Sequence, residues 1–151
     1  MHIRHATLKD ANTLCENNIR MAYESEHVNL SRPTVFDAVK TLLTNKEKGF
    51  YLVAEQENEI IGQLMITYEW SDWRNSTIWW IQSVYVTPHH RKKGVFLSLY
   101  NEIKKQAKEQ HITLLRLYVH DQNHSAINVY ENIDMKRKSY IIFETTIDGK
   151  E

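Results

Sequence analysis

The 151 residues hold 19 Lys+Arg against 19 Asp+Glu, so the formal charge at pH 7 is zero, and 42% of them are hydrophobic. A chain of this size and composition supports one domain over residues 1–151 with its own core, which excludes disorder of the whole chain. Cys15 is the only cysteine, which excludes an internal disulfide framework and a Cys-based zinc site. No apolar run reaches the ~18 residues of a membrane span. The opening MHIRHATLKD is too polar for a secretory leader, so the expected setting is cytoplasmic, with no membrane partner. Neutrality also argues against a nucleic-acid partner. The average nevertheless hides an asymmetry. Residues 55–72 hold five acids and no Lys or Arg, whereas residues 89–108 hold six Lys or Arg and one acid.

Taken in order, the elements begin with a short apolar start at Ile3–Ala6. Thr7 and Asp10 form a capping-box pattern. Ala11, Leu14, Cys15, Ile19 and Ala22 then recur at helical spacing, which predicts a helix from about Leu8 to Glu24. Thr34 and Asp37 repeat the capping pattern after Pro33, and Val35, Ala38, Val39, Leu42 and Leu43 line a second helix that ends before Gly49. Strands are predicted at Phe50–Glu55, Ile60–Trp70 and Thr77–Val86, with turns at Asn58-Glu59 and 71–76. Pro88 closes the third strand. After Gly94 the period changes, and Phe96, Leu99, Tyr100, Ile103 and Ala107 mark an amphipathic helix to about Gln110. A strand at Ile112–His120, a helix at Ser125–Asn132 and a last strand at Lys138–Thr146 complete the pattern. Helices interspersed with paired strands predict an α/β or α+β sheet with covered faces.

Residues 83–105, SVYVTPHHRKKGVFLSLYNEIKK, read as strand, basic loop, glycine and helix. A helix start leaves backbone N–H groups unpaired and carries roughly +0.5 charge, which suits a phosphate. Gly94 permits unusual φ, and Arg91, Lys92 and Lys93 add full charges. The competing explanation is a solvated basic connection. Neither the P-loop nor the dinucleotide glycine pattern occurs.

This loop, Arg91-Lys92-Lys93-Gly94-Val95-Phe96, resembles motif A of the GNAT N-acetyltransferase superfamily, [RQ]-x-x-G-x-[GA], with Phe96 in place of the usual Gly or Ala. It follows a V-x-V strand end, Val84-Tyr85-Val86. Downstream, Asn123-x-x-Ala126-x-x-x-Tyr130 resembles the family's N-x-x-A-x-x-x-Y segment, with Asp134-Met135 where Gly-Phe is usual. IRHATLKDA resembles the family's first strand and helix start, and the order of elements agrees over nearly the whole chain.

The resemblance implies a mixed, mostly antiparallel central sheet with helices on both faces. It also implies a splayed parallel pair, by analogy Thr77–Val86 and Ile112–His120, that binds acetyl-CoA as co-substrate. The pyrophosphate would lie on N–H groups from Lys92 to Phe96, with Arg91 and the lysines offsetting its charge. Val84 and Val86 would hydrogen-bond the pantetheine arm as an added strand does. An N–H near Val84 or Tyr85 would stabilise the oxyanion as an amine attacks the thioester. Asn123 and Ala126 belong to the cofactor segment, and Tyr130 would protonate the leaving thiolate.

A general base is harder to place. The strand position where some relatives carry Glu holds Trp80, with Gln82 on the same face, and neither accepts a proton. Glu69, Asp72 and His120 are the remaining candidates. Trp70, Trp73 and these acids suit a cationic amine acceptor through ring quadrupoles and charge. The histidines lack metal-ligand spacing, so no metal is expected. The last strand and nearby aromatics would allow a homodimer. The rival reading is an acyl-CoA-binding module that has lost catalysis.

Overall fold

At the Glu57-Asn58 turn both residues have positive φ, 52° and 65°. That backbone matches the twist of the strands it joins and closes a tight hairpin. The turn links β2 (Gly49–Gln56) to β3 (Glu59–Ser71). The computed structural model describes residues 1–149 and divides into two compact units, Met1–Tyr118 and the residues from Val119 onward.

In the first unit, β1 (His2–His5), β2, β3, β4 (Ser76–Val86) and β5 (Leu115–Arg116) form one sheet in sequence order. All neighbours are antiparallel except β4 and β5, which are parallel. Two helices, α1 (Ala11–Glu26) and α2 (Arg32–Thr44), share a core with the sheet in which Ala11, Leu14, Val39, Leu42, Tyr51 and Val53 are buried. Gln63 of β3 faces α1, hydrogen-bonding Asn17 and Asn18. Adjacent strand residues face opposite sides, so Gly62 faces away, against Val95 and Leu99 of α3 (Val95–Glu109). Helices thus cover both faces of a mixed sheet.

Several boundaries differ from expectation. The Thr7–Asp10 box is present, with Asp10 accepting the Thr7 N–H at 2.7 Å, but a 3-10 turn at Leu8–Asp10 precedes α1. Asp10 is also held by Arg4, at 2.8 Å and 3.0 Å. The second helix begins at Arg32, next to Ser31, not at the Thr34 pattern, because Pro33 is itself favoured in a first helical turn. The strand expected over Ile112–His120 pairs only at Leu115 and Arg116.

In the second unit, α4 (His124–Glu131) is capped by Asn123, whose Oδ1 accepts the Ala126 N–H at 3.2 Å. The strand expected at Lys138–Thr146 does not form: no ladder pairs it among the described residues, and Tyr140, Ile141, Ile142 and Phe143 are exposed. Strand propensity reports fit to a pleated, half-buried surface and needs a partner strand to act on.

Candidate active site

The feature that sets the site is a bulge in β4. Gln63 lies opposite Tyr85 and Met65 opposite Gln82, so β4 carries one residue more than β3 across this step. The extra residue is accommodated where Ser83 has φ 49°. Such a bulge bends the strand and interrupts its ladder. On the other side, β5 pairs with β4 only at Trp79 and Trp80. From residue 81 to 86 that edge of β4 is in register with no strand among the described residues.

The strand runs into the basic loop. Pro88–His90 form a 3-10 turn, and Thr87 Oγ1 lies 2.9 Å from His90 Nδ1. Lys92 has φ 59° and Gly94 φ 79°. Gly94 is the residue before α3, and a Cβ there would meet nothing within 4 Å, so its requirement is the left-handed backbone rather than space. Gly62 has the opposite reason. A Cβ on it would lie 2.6 Å from Val95 Cγ1, so this glycine lets the first turn of α3 sit on β3. Val95 is buried there. Phe96, at the departure from the family pattern, stacks with Tyr100 at 6.0 Å between ring centres. The first turn of α3 therefore points its N–H groups at the loop, with Lys92 and Lys93 exposed beside it.

Arg91 is held more tightly than its neighbours. Its Nε donates to the Val86 carbonyl at 2.9 Å, its Nη2 to Glu24 Oε2 at 2.5 Å, and its guanidinium lies 5.4 Å from the Tyr85 ring centre. The Tyr85 hydroxyl also donates to Glu24, at 3.1 Å. Burial, and then Glu24, push the Tyr85 pKa up. Glu24 had no signal in the sequence, since it lies on the last turn of α1, far from the loop in the chain.

The strand register assigns the expected acceptor residues to two faces. Trp80 lies opposite Thr67, Gln82 opposite Met65 and Glu69 opposite Ile78, all on the α1 side with Gln63. Gln82 donates to Thr67 at 2.7 Å, Glu69 accepts from Arg116 at 3.1 Å, and the Trp80 and Tyr118 rings lie 5.8 Å apart. Trp70, paired with Thr77, falls on the α3 side and is 67% exposed. Trp73 is 85% exposed in the turn after β3, where Asp72 Oδ1 accepts its N–H at 2.9 Å. The four residues Trp70, Asp72, Trp73 and Trp80 are thus not gathered into one pocket. Trp79, not Trp80, is the core tryptophan. Arg116 and Tyr118 were not anticipated, because their place depends on the parallel pairing of β5.

Within the second unit, Asn123 uses its side-chain oxygen for the cap. Tyr130 follows Ala126 by one helical turn on α4, and burial pushes its pKa up to about 12. His120 Nδ1 accepts the Gln122 N–H at 3.2 Å and lies 3.3 Å from Asp121. Among the described residues, no three His, Cys, Asp or Glu side chains are placed to hold a metal, and no helix is long and apolar enough to cross a membrane.

Comparison with known proteins agrees with this geometry. The family model described as the acetyltransferase (GNAT) family matches residues 16–135. The structure described as a possible acetyltransferase from Clostridium difficile 630 is 38% identical, with 97% of each chain covered and a TM-score of 0.89. A predicted acetyltransferase from Clostridium acetobutylicum, solved with acetyl-CoA, is 18% identical with 95% of each chain covered and a TM-score of 0.79. The ribosomal-protein-alanine N-acetyltransferase of Brucella melitensis biovar Abortus 2308 is 18% identical, covering 97% of this chain and 98% of that one at a TM-score of 0.77. No curated protein matches the sequence. The breadth of the family match, over the bulged strand, the loop and α4 together, settles the assignment: the chain belongs to the acetyltransferase (GNAT) family.

Proposed function

We propose that the protein transfers an acetyl group from acetyl-CoA to a primary amine by direct attack. The observation that carries this reading is the unpaired edge of β4 beyond its bulge, running into the basic loop and the start of α3. A pantetheine arm carries amide groups that can pair with such an edge as an added strand does. Its pyrophosphate then meets the N–H groups from Lys92 to Phe96, with Lys92 and Lys93 beside them. Arg91 is engaged by Glu24 and Val86, so in this reading it shapes the loop while the lysines supply most of the charge.

In the reaction, the neutral amine nitrogen attacks the thioester carbon, and the oxyanion forms near the Val84 N–H. Collapse breaks the C–S bond. The proton of the attacking nitrogen leaves to water or to a carboxylate, and the thiolate sulfur gains one. Tyr130 donates a hydrogen bond to that sulfur. With its pKa at about 12 against about 8.5 for a thiol, full transfer is uphill by roughly 5 kcal/mol. The donor therefore stabilises the developing charge, and solvent completes protonation.

The acceptor is assigned to the α1 side, where Trp80, Tyr118, Gln82 and Glu69 share a face. A cationic amine there would compete with Arg116 for Glu69. Trp70, Asp72 and Trp73 have at most an outer role in capturing it. A reading as a non-catalytic acyl-CoA binder rests on Glu69, the carboxylate assigned to the acceptor, being engaged by Arg116.

The test is calorimetry with acetyl-CoA followed by an amine panel read by thiol release. Binding with turnover is expected. Absence of acetyl-CoA binding overturns both readings, and binding without turnover of any amine leaves the binder.

A further inference from the structure

We infer that Gln63 is a positioning residue, which aims the Val84 N–H away from β3, toward the edge of β4 that pairs with no strand among the described residues. This rests on the acetyl-CoA reading above and adds to it a cause for the donor's direction.

Gln63 is fully buried in an otherwise apolar strand run, IIGQLMI. A buried carboxamide is costly unless its groups are paired, and here they are. Its Oε1 accepts from Asn17 Nδ2 at 2.9 Å. Its Nε2 donates to Asn18 Oδ1 at 2.8 Å and, at 3.4 Å, to the carbonyl of Ser83. Asn18 Nδ2 in turn donates to the Tyr51 hydroxyl at 2.9 Å. Burial raises the Tyr51 pKa, partly offset by hydrogen bonds from Asn18 and Ser83. Two layers, α1 and the sheet, thus converge on the one residue of β4 with positive φ.

The consequence follows from peptide geometry. The Ser83 carbonyl and the Val84 N–H belong to one planar trans unit, so they point in opposite directions. Gln63 draws the carbonyl toward β3 and α1. The Val84 N–H must then point away from β3, to the side where β4 has no paired strand. Ser83 pays a backbone strain for this at φ 49°, of the kind that persists only where surrounding structure over-determines it. The buried amide cluster supplies that over-determination. An oxyanion donor acts only when it is aimed at the developing charge, so its aim is a property that Gln63 controls without touching the substrate.

The experiment follows the Val84 amide by ¹⁵N–¹H NMR as acetyl-CoA or CoA is added, in the parent protein, in Gln63→Met and in Tyr51→Phe. Gln63→Met keeps side-chain volume and removes every polar contact. Tyr51→Phe removes one hydroxyl from the same cluster and keeps the ring, so it serves if Gln63→Met does not fold. In the parent the Val84 signal should move more with acetyl-CoA than with CoA. That difference should vanish in Gln63→Met and shrink in Tyr51→Phe. On the best amine of the panel, kcat per folded molecule should fall about 10–100-fold in Gln63→Met, with KM for acetyl-CoA unchanged within about twofold. A cluster that only stabilises the fold would lower Tm and leave the acetyl-dependent shift and kcat intact, which overturns the inference alone. Parallel loss of CoA affinity also overturns it. A parent that binds no acetyl-CoA removes the proposed function itself.

Discussion

Glu24 and Arg91, 67 residues apart in sequence, meet at 2.5 Å between Oε2 and Nη2, and this contact ties the end of α1 to the loop before α3. The same carboxylate accepts the Tyr85 hydroxyl at 3.1 Å. An acid placed here is unfavourable for a phosphate site, since it neutralises a cation and repels the ligand. Its effect is on loop shape: Arg91 is held over Tyr85 and against the Val86 carbonyl. Both partners are more than 40% exposed, so the pair has the modest strength of a screened ion pair, about 0.2–1 kcal/mol. Glu24→Gln is therefore expected to tighten acetyl-CoA binding by about 1.5–5-fold at low salt, as the repulsion is lost, with the gain fading as salt rises. Lys93→Ala should move affinity the other way. Calorimetry at two ionic strengths reads both.

At Gly62, α3 packs against β3 with no room for a side chain. Adding a methyl group would place it 2.6 Å from Val95 Cγ1, and Val95 is itself buried. Overpacking of this kind costs about 1–3 kcal/mol. Gly62→Ala should lower Tm by about 2–12 °C for a chain of this length. Because the displaced element is the first turn of α3, acetyl-CoA affinity should fall as well, which an ordinary core defect would not cause. Thermal melting and calorimetry on one preparation separate the two.

Asp10 gives the fold an acid-labile contact. The Arg4 guanidinium, and after it the Thr7 N–H, hold its carboxyl below the ordinary carboxylate range, against the effect of burial. The unfolded chain therefore takes up the proton at higher pH than the folded one. Stability from this carboxylate is complete above the unfolded value, about 4, and is lost as pH falls through the folded value. Asp10→Asn should cost about 1.5–3 kcal/mol at pH 7, the range for hydrogen bonds to charged groups. It should also flatten the drop in stability between about pH 5 and 2. Urea unfolding at a series of pH values measures both effects.

How much of this was legible depended on whether the cause was local. The helix after Gly94 and the Thr7–Asp10 box are set by residues within a turn of each other, and they stand as expected. So do β2, β3 and β4, since the hairpins that join them are closed by short turns. What failed was pairing over distance. Residues 138–146 have strand composition, but composition supplies no partner. Trp70 and Trp80, both expected at the acceptor site, fall on opposite faces, because strand register decides. Gln63 had a signal that could have been read, a lone amide in an apolar run. Glu24, Arg116 and Tyr118 had none, since each is brought in by a separate element.

Tyr130 provides the sharpest pH statement. Burial raises its pKa from the ordinary value of 10 to about 12, because the phenolate is the form that burial disfavours. The phenol therefore stays protonated through the whole range in which an amine can be assayed. An enzyme that needed Tyr130 as a donor with an unshifted pKa would lose activity with an alkaline limb near pH 10. Here the limb from this residue is displaced to about 12, so kcat should hold level to at least about pH 11 for as long as the fold survives. Activity should rise on the acid side with the deprotonation of the acceptor amine. Tyr130→Phe should lower kcat by about 10²–10³-fold, the span for removing one preorganised donor to a developing charge, with acetyl-CoA affinity retained. The two measurements constrain each other. A large loss in Tyr130→Phe together with a limb at 10 in the parent means that the tyrosine acts while solvated, and the burial argument fails. A flat profile with no loss in Tyr130→Phe means that the thiolate leaves without help from this residue.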